Sequence, residues 1–395
     1  MKGTLALYNT MSGRKEPLRP RDPPKVSMFV CGPTVQSEIH LGNARTYIFF
    51  DALARYLGHL RFDVFFLMNV TDIDEQVSQA AARARKDPME YSEEMTRSMM
   101  DRFKELKLDS VSRFEPVSRH VEGAIGQVTS LLDAGFAYEA GGWVYYDTTK
   151  FPRYGRLSHQ SKIDLSLRPL ELSEHKRNLN DFSLWRPEVL IPGRWSSPWG
   201  LGSPGWHIQD TAVTIPILGP QYDLHGGAYE LVYPHHEAEI AQAESLTGKS
   251  PFVRHWVHTN LLKAGGLKMS KSLGNALTVG EALRTWSADE LRFAFLSVHY
   301  RTESDLTGLG SAKQRLHRMR RIAAEIGPAD RADEAAVVQF ERTLNDDFDS
   351  PGVIEWAERT LREAQRAAER ETARRLVGAA VKGMGILGVE LLEGA

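Results

Sequence analysis

The chain of 395 residues has a single cysteine, Cys31, and no long apolar run. One cysteine excludes an intramolecular disulfide, and therefore a scaffold that disulfides hold together. No uncharged segment reaches the ~18 apolar residues that a membrane-spanning helix needs, and the apolar stretch near the N-terminus is too short for a signal peptide. These absences predict a cytoplasmic protein that stays out of the membrane.

The chain also lacks an excess of either charge. Lysine and arginine number 49 against 51 aspartate and glutamate, which gives a formal charge of −2. A uniformly basic nucleic-acid coat is thereby excluded, whereas a local basic patch is not, because net charge says nothing about distribution. At roughly 100–200 residues per domain, the length predicts two to four domains.

Two short apolar runs near the N-terminus predict buried strands, at residues 26–32 and 62–70. Between them, apolar residues recur at three- and four-residue spacing, as on an amphipathic helix. Strand, helix and strand in this order predict a right-handed βαβ unit, and so an α/β fold with a parallel sheet. The loop after the first strand lies at its carboxyl end, where such sheets bind ligands.

The segment IHLGNART at 39–46 follows the first predicted strand and opens the helix. Gly42 would let the backbone approach a phosphate, and a helix N-terminus offers that phosphate free N–H groups and a positive dipole end. His40 would donate to an oxygen that gains negative charge. The alternative is a loop glycine beside a solvent-facing histidine.

A second segment, LKMSKSLGN at 267–275, carries two lysines three residues apart after a Gly-Gly pair. This pattern suits a mobile loop that closes on a triphosphate, where Lys268 and Lys271 would neutralise charge on a leaving pyrophosphate. The alternative is a solvated basic loop.

A third segment, YPHHEAEIAQAE at 233–244, places His235 and Glu239 four residues apart, on one face of a predicted helix. This spacing suits two ligands of one Zn²⁺, and the Cys31 thiolate is a possible third ligand. The alternative is a surface His–Glu pair.

Together these segments resemble the class I aminoacyl-tRNA synthetases, in the form seen in the cysteinyl-tRNA synthetase family. FVCGPTVQSEIHLGNART resembles the first signature region of that family, and LKMSKSLGN resembles the second. The resemblance continues in collinear order over nearly the whole chain, through NVTDIDE (69–75), KRNLNDFSLW (176–185), SPWGLGSPGWHIQD (197–210), YDLHGGAYELVYPHHEAEIAQ (222–242), HYR (299–301) and TLNDDFDSP (343–351).

The resemblance implies a cysteine–tRNA ligase. Such an enzyme activates cysteine with ATP and Mg²⁺, releases pyrophosphate, and passes the cysteinyl group to the terminal adenosine of tRNA(Cys). Carried over by position, one Zn²⁺ would be held by Cys31, His235, Glu239 and the residue at 210, where the family has a second cysteine and this chain has Asp210. Aspartate is a competent but harder Zn²⁺ ligand, so Asp210 would either bind the metal or point away from it.

The remaining functional residues also come from the resemblance. Gly32, Thr71 and Trp206 fall where the family lines the amino-acid pocket, although Trp206 is also a candidate for simple core packing. Asn43 would assist His40 and the helix start in holding ATP, with Lys271 as the principal ATP residue. The resemblance further implies a monomer.

The resemblance also divides the chain into segments. We predict the first half of a Rossmann-type catalytic domain at 1–114, an inserted connective module at 115–200 and the second half of the catalytic domain at 201–265. A second-signature loop with a stem-contact region follows at 266–305, and a tRNA-binding helical bundle at 306–395. The family continues into an anticodon-binding domain near where this sequence stops, so we expect anticodon reading to come from the bundle, to be weaker, or to be absent.

One feature of the bundle is a candidate tRNA contact. A basic cluster on its first predicted helix suits phosphate contacts with a tRNA stem, although a solvated face paired with glutamates is the alternative. The cluster comprises Lys313, Arg315, Arg318, Arg320 and Arg321.

Three other functions stay open. The first is that of the paralogous cysteine ligase of the mycothiol pathway, which passes cysteinyl-adenylate to a small amine, although segments such as TLNDDFDSP favour the tRNA enzymes. A non-catalytic tRNA-binding relative would have no need of His40, Asn43, Lys268 and Lys271. The third is a class I ligase with altered amino-acid specificity, which Asp210 prompts.

Overall fold

A computed structural model describes residues 4–160, 173–187, 195–269 and 274–392. Its strands are β1 (Ala6–Asn9), β2 (Arg14–Pro17), β3 (Lys25–Val30), β4 (Asp63–Val70), β5 (Arg113–Pro116), β6 (Ala137–Ala140), β7 (Trp143–Tyr146), β8 (Phe182–Pro187), β9 (Trp195–Ser197), β10 (Gly200–Pro204), β11 (Tyr222–Ala228), β12 (Val253–Thr259), β13 (Leu262–Ala264), β14 (Leu267–Lys268) and β15 (Ser304–Asp305). Its α-helices are α1 (Leu41–His59), α2 (Glu75–Ala84), α3 (Pro88–Glu105), α4 (Val121–Asp133), α5 (Trp206–Leu218), α6 (Glu237–Thr247), α7 (Val279–Leu283), α8 (Ala288–Leu296), α9 (Leu309–Ile326), α10 (Glu334–Asn345), α11 (Ser350–Arg366) and α12 (Arg370–Ile386).

The central layer is a five-stranded parallel sheet in the order β12-β11-β3-β4-β5. Met28 of β3 lies opposite Phe66 of β4 on one side and Leu224 of β11 on the other, and all three are buried. Strands covered on both faces consist mainly of apolar residues, which is why β3 and β4 appear as apolar runs in the sequence. The predicted βαβ unit and the α/β fold are confirmed.

Helix α1 connects β3 to β4 and packs on the central sheet. It begins with a reciprocal cap in which the His40 ring accepts from the Asn43 N–H and the Asn43 side chain accepts from the His40 N–H. Such a cap satisfies two backbone donors that a helix start leaves open. The cap fixes the helix start at the carboxyl edge of the sheet.

A second, antiparallel sheet lies between β5 and α5 in the sequence, in the order β6-β7-β8-β10-β9. Its core includes the fully buried side chains of Trp185 and Tyr146. The predicted start of the inserted module, residue 115, falls inside β5 of the central sheet. The boundaries of the five segments otherwise stay predictions.

Helices α9 to α12 form a C-terminal helical region whose apolar faces join the same hydrophobic core as α1. None of the described helices is both long and apolar enough to cross a membrane.

A buried ion pair joins the catalytic and helical regions. Arg292 of α8 is fully buried and donates to Asp51 of α1 at 2.7 Å, as well as to backbone oxygens of Leu106, Lys107 and Leu387. Burial alone raises the pKa of a carboxyl, but the charges of Arg292 and Arg55 outweigh it and hold the pKa of Asp51 below its usual value. This arginine therefore connects α1 to the end of α12.

Removing one partner of this pair should destabilise the fold strongly. We expect Arg292→Met to lower the free energy of unfolding by about 3–5 kcal/mol, because it leaves the Asp51 charge buried and unpaired. Urea unfolding followed by circular dichroism measures the change. The control is Arg55→Met, which removes a more exposed partner of the same carboxylate and should cost about 1 kcal/mol or less. Equal losses in the two variants would contradict the prediction.

Candidate functional site

A cleft of about 970 Å³ opens at the carboxyl ends of the central strands. This is the position at which open α/β sheets bind their ligands. Most of the predicted site residues line it, namely Cys31, Gly32, His40, Gly42, Asn43, Thr71, Trp206, Asp210 and His235. The structure thus brings residues from five separate segments of the chain to one cavity.

Cys31 follows β3 directly and is buried at the base of the cleft. Its Sγ lies 3.3 Å from Oδ2 of Asp210, which α5 contributes. The same Asp210 oxygen is 2.9 Å from Nε2 of His235. Asp210 therefore points toward the thiol and the imidazole, and not away from them.

Glu239 lies on α6, beneath the cleft, and its carboxylate is fully buried. Oε1 is 3.1 Å from Nε2 of His235, yet neither carboxylate oxygen accepts a hydrogen bond from any described residue. His235 itself lies in the π-helical turn at Val232–His236, which runs directly into α6, so its pairing with Glu239 four residues on is made across the start of that helix. A buried carboxylate without hydrogen bonds is costly unless it meets a cation.

The negative charges of the acidic side chains in this cluster repel one another. Burial, together with the charges of Asp210 and Glu239, raises the pKa of the Cys31 thiol well above its usual value. Burial and the charge of Asp210 likewise raise the pKa of Glu239. Three acidic side chains therefore share a space that favours a bound cation over three free anions.

Two further histidines contact the thiol. Nε2 of His225 lies 3.4 Å and Nε2 of His236 lies 3.2 Å from Sγ of Cys31. The outer nitrogen of His225 meets the Tyr222 hydroxyl at 2.6 Å, and that of His236 meets His258 at 2.8 Å. Partners of this kind hold metal-ligating or metal-facing imidazoles in one orientation.

These imidazoles are in the state that metals require. Burial lowers the pKa of His258 to about 3 and lowers those of His225 and His236 well below the usual value. Neutral imidazole is the ligating form, so the ring nitrogens are available near neutral pH.

The donor atoms fit a metal ion. Those of Cys31, Asp210, His235 and Glu239 all lie within 4.8 Å of one another, and a second set exchanges Asp210 and His235 for His225 and His236. Both sets combine sulfur, imidazole nitrogen and carboxylate oxygen, which are the ligands that Zn²⁺ takes in proteins. The Glu239 oxygens that lack hydrogen bonds are the groups that an ion would satisfy.

His40, Gly42 and Asn43 lie together at the start of α1. A Cβ at Gly42 would come within 2.8 Å of the His40 ring, so glycine makes room for that ring as it folds back over the helix start. Because Nδ1 of His40 accepts the Asn43 N–H, the neutral ring carries its proton on Nε2. The predicted role of these residues toward phosphate stays a prediction.

Hydrogen bonds to backbone groups hold the first signature segment against residues on either side of the second signature. His40 forms a bridge with Thr278, and the Leu41 N–H donates to the Leu277 oxygen at 2.9 Å. The buried guanidinium of Arg45 donates to four backbone oxygens, those of Asn260, Leu261, His299 and Thr302. These contacts fix the small sheet β14-β13-β15 against the start of α1.

That sheet leads into the second signature. Lys268 ends β14, but its side chain lies outside the described part of the structure, as does the whole of Lys271. Their predicted contact with ATP therefore stays a prediction.

The predicted amino-acid pocket lies above the metal-ligand cluster. The Trp206 ring is half-buried and stacks on His235 with centroids 4.3 Å apart, so it lines the cleft instead of filling the core. Thr71 is buried beside Asn69, whose side chain approaches the Thr71 hydroxyl at 3.4 Å. The roles of Gly32, Thr71 and Trp206 stay predictions.

The predicted basic cluster on α9 is largely paired with acidic side chains. Arg320 lies 2.5 Å from Asp289, and Lys313, Arg315 and Arg321 have similar partners in Glu290, Glu358 and Glu325. This pairing supports the alternative of a solvated helix face and weakens the prediction of a tRNA grip on α9.

Reasoning from the sequence missed the surroundings of the cluster. The sequence patterns did not indicate a role for Asn69, Tyr222, His225, His236 or His258, although His225 and His236 lie within the segment at 222–242 that resembles the family. The adjacent histidines at 235 and 236 were a usable signal, because one faces Asp210 and the other faces Cys31.

Comparison with known proteins defines the class. A family model described as tRNA synthetases class I (C) catalytic domain matches residues 17–313. The fold resembles methionyl-tRNA synthetase of Mycobacterium tuberculosis in complex with methionyl-adenylate, with a TM-score of 0.64 and 16% identity over 92% of this chain and 90% of that one. It also resembles the LeuRS–tRNA–LeuAMS ternary complex of Agrobacterium radiobacter K84, with a TM-score of 0.67 and 11% identity over 94% and 84%. The chain belongs to the class I aminoacyl-tRNA synthetases, enzymes that ligate an amino acid to tRNA and use ATP.

Closer relatives place it within that class. Cysteine–tRNA ligase of Thermoplasma acidophilum is 40% identical over 305 residues, which are 77% of this chain and 67% of the relative. Cysteine–tRNA ligase of Pelotomaculum thermopropionicum is 37% identical over 93% of this chain and 79% of the relative. The chain is thus a member of the cysteinyl-tRNA synthetase family, and the resemblance found in the sequence is confirmed.

Proposed function

We propose that the chain ligates cysteine to tRNA(Cys) through a site in which a metal at the base of the cleft recognises the substrate thiol. The observation that carries this is the meeting of Cys31, Asp210, His235 and Glu239, with two buried Glu239 oxygens that no described residue satisfies. A cluster of this kind at the carboxyl edge of the sheet lies next to the predicted phosphate-binding helix start.

Zn²⁺ is the metal that we propose, one per chain, held by these four side chains. Bound there, it would favour a thiolate over a hydroxyl and so separate cysteine from serine, which a pocket alone discriminates poorly. The substrate thiol would enter from the cleft side of the cluster, where the Trp206 ring stacks on His235.

Activation of cysteine would take place above this cluster. The substrate carboxylate attacks the α-phosphorus of ATP, the bond to the β,γ-phosphates breaks, and pyrophosphate leaves. His40 and the N–H groups at the start of α1 would hold the phosphates, and Lys268 and Lys271 would offset the charge on the leaving group. Mg²⁺ would accompany ATP without a dedicated protein cage. A hydroxyl of the terminal adenosine of tRNA then attacks the cysteinyl carbonyl and releases AMP.

One experiment tests the whole proposal. Pyrophosphate exchange is measured with each of the twenty amino acids and is followed by transfer to total tRNA. We expect exchange with cysteine and charging of tRNA(Cys). Exchange with cysteine but no charging would support transfer to a small amine instead. Exchange that prefers another amino acid would indicate altered specificity, and no exchange at all would contradict an enzymatic role. A cytoplasmic location and a monomeric state stay predictions alongside it.

The role of Asp210 as a ligand has its own test. Asp210→Asn keeps the shape of the side chain and an oxygen for Asn69, but removes the charged oxygen that faces Cys31 and His235. We expect the Kd for Zn²⁺ to rise by more than the roughly 10–100-fold that loss of a hydrogen-bond partner of a metal ligand costs. Competition with a chromophoric chelator measures it. Unchanged zinc binding would show that three protein ligands suffice.

A further inference from the structure

The two oxygens of the Asp210 carboxylate have different surroundings. Oδ2 faces the metal-ligand cluster, at 3.3 Å from Cys31 Sγ and 2.9 Å from His235 Nε2. Oδ1 turns away from the cluster and accepts a hydrogen bond from the Asn69 side-chain amide at 2.7 Å. Only one oxygen of this carboxylate is therefore directed at the site of the ion.

Asn69 is itself held in one orientation. It is the seventh residue of β4, is buried, and its Oδ1 accepts the Gly32 N–H at 2.6 Å. Because that oxygen already has a backbone donor, the amide nitrogen must face Asp210 and not the reverse. The contact is close: a Cβ at Gly32 would come within 1.7 Å of the Asn69 backbone oxygen, so only glycine allows the two strands this approach.

From these contacts we propose that Asn69 is a positioning residue that makes Asp210 a one-oxygen metal ligand. This inference rests on the metal site proposed above. An aspartate without the Asn69 bond could rotate and offer both oxygens, or neither, to the ion. With the hydrogen bond from Asn69 to Oδ1, only Oδ2 of Asp210 faces the ion. It does so at the position where the family has the single sulfur atom of a cysteine.

The role of Asn69 depends on the aspartate that this chain has at position 210. A cysteine at position 210 has one sulfur atom in place of the two carboxylate oxygens, so the Asn69 amide would have no choice of ligand atom to fix. The contribution of Asn69 to metal binding should therefore depend on the residue at 210, whereas a contribution made only through Gly32 should not.

A double-mutant cycle separates these two contributions. Asn69→Leu is made in the natural chain and in the Asp210→Cys background, and the Kd for Zn²⁺ of the chelator-stripped proteins is measured by competition with a chromophoric chelator. We expect Asn69→Leu to raise the Kd about 10–100-fold in the natural chain, as loss of a hydrogen-bond partner of a metal ligand does. In the Asp210→Cys background we expect a change of about threefold or less. Loss of the Gly32 bond is common to both backgrounds and cancels in the ratio.

Two controls accompany the cycle. Asn345→Leu replaces a buried asparagine of the helical region, whose side chain accepts from the Tyr56 hydroxyl, and should leave zinc binding unchanged. If Asn69→Leu does not fold, Asn69→Ser takes its place, because the shorter hydroxyl side chain does not reach Asp210. The d–d absorption of the Co²⁺-substituted proteins gives a second readout of the ligand geometry, independent of activity.

The outcomes are distinct. An equal rise in Kd in both backgrounds would overturn the role of Asn69 and leave the metal site standing, as would Asn69→Leu binding zinc as tightly as the natural chain. A natural chain that takes up no zinc would overturn the proposed metal site and this role with it.

Discussion

Replacing Cys31 by alanine should abolish both zinc binding and the activation of cysteine. The purified natural chain is expected to hold about one Zn²⁺, and the Cys31→Ala variant less than about a tenth of that. Cysteine-dependent pyrophosphate exchange should fall by about 10³-fold or more, because the variant removes the one sulfur ligand and with it the ion that would recognise the thiol. Elemental analysis and exchange kinetics on the same preparations measure both quantities.

Cys31→Ser provides the matched variant. The hydroxyl fits the space of the thiol, which is buried against Asp210, His225 and His236, but does not ionise near neutral pH. It should therefore lose zinc as the alanine variant does while keeping the fold. Full zinc content in either variant would show that the metal is held elsewhere.

The second large effect is expected from a lysine of the second signature. Lys271→Ala should slow formation of cysteinyl-adenylate by about 10²–10³-fold, or about 2.7–4 kcal/mol, as removal of one donor to a developing charge typically does. The KM for cysteine and the zinc content should stay as they are, because the substitution changes no member of the metal-ligand cluster. Single-turnover adenylate formation measures the rate.

Lys263→Ala is the control for this variant. Lys263 lies on β13 of the same small sheet, opposite Lys268 of β14, and its side chain pairs with Glu303 at 2.5 Å. Its removal should change the rate by about threefold or less, since exposed ion pairs contribute little. An unchanged rate in Lys271→Ala, or an equal loss in both variants, would contradict the role of Lys271.

The first half of the central sheet could be predicted from local patterns, whereas the inserted sheet could not. Strands β3 and β4 are buried on both faces, so their apolar runs stand out, and the helix between them is amphipathic. The antiparallel strands β6 to β10 are three to six residues long and rich in glycine, proline and tryptophan. Segments this short carry too few alternating positions for their pattern to be distinct.

Local sequence patterns link only some of the four predicted metal ligands, for a related reason. Two of them, His235 and Glu239, are close in sequence and could be paired by spacing. Asp210 could be placed only by resemblance to a family, because no local pattern links it to Cys31. The contacts of His225 depend on the strand order β12-β11-β3, which puts β11 beside β3 although about 190 residues separate them. Strand order is a property of the packed sheet, so the sequence of a short segment does not predict it.

The burial of the Arg292 charge also could not be predicted from the sequence. Arg292 lies in the segment ADELRFAFL, where an arginine among acidic and apolar residues would ordinarily be exposed. It is buried because Asp51 and three backbone oxygens from other elements meet it there, and none of these partners is a sequence neighbour.

The pairing of a thiol with a carboxylate at the base of the cleft also decides how the site responds to an oxidant. Where two cysteines ligate one metal, as the family resemblance implies for position 210, two-electron oxidation joins them in a disulfide and the ion is released. Here the side chain 3.3 Å from Cys31 is Asp210, and the chain has no other sulfur of that kind. Oxidation of Cys31 by a peroxide therefore stops at a sulfenic acid that has no neighbouring thiol to condense with and that an external thiol can reduce. Oxidation of this site would modify a single sulfur atom and form no internal disulfide.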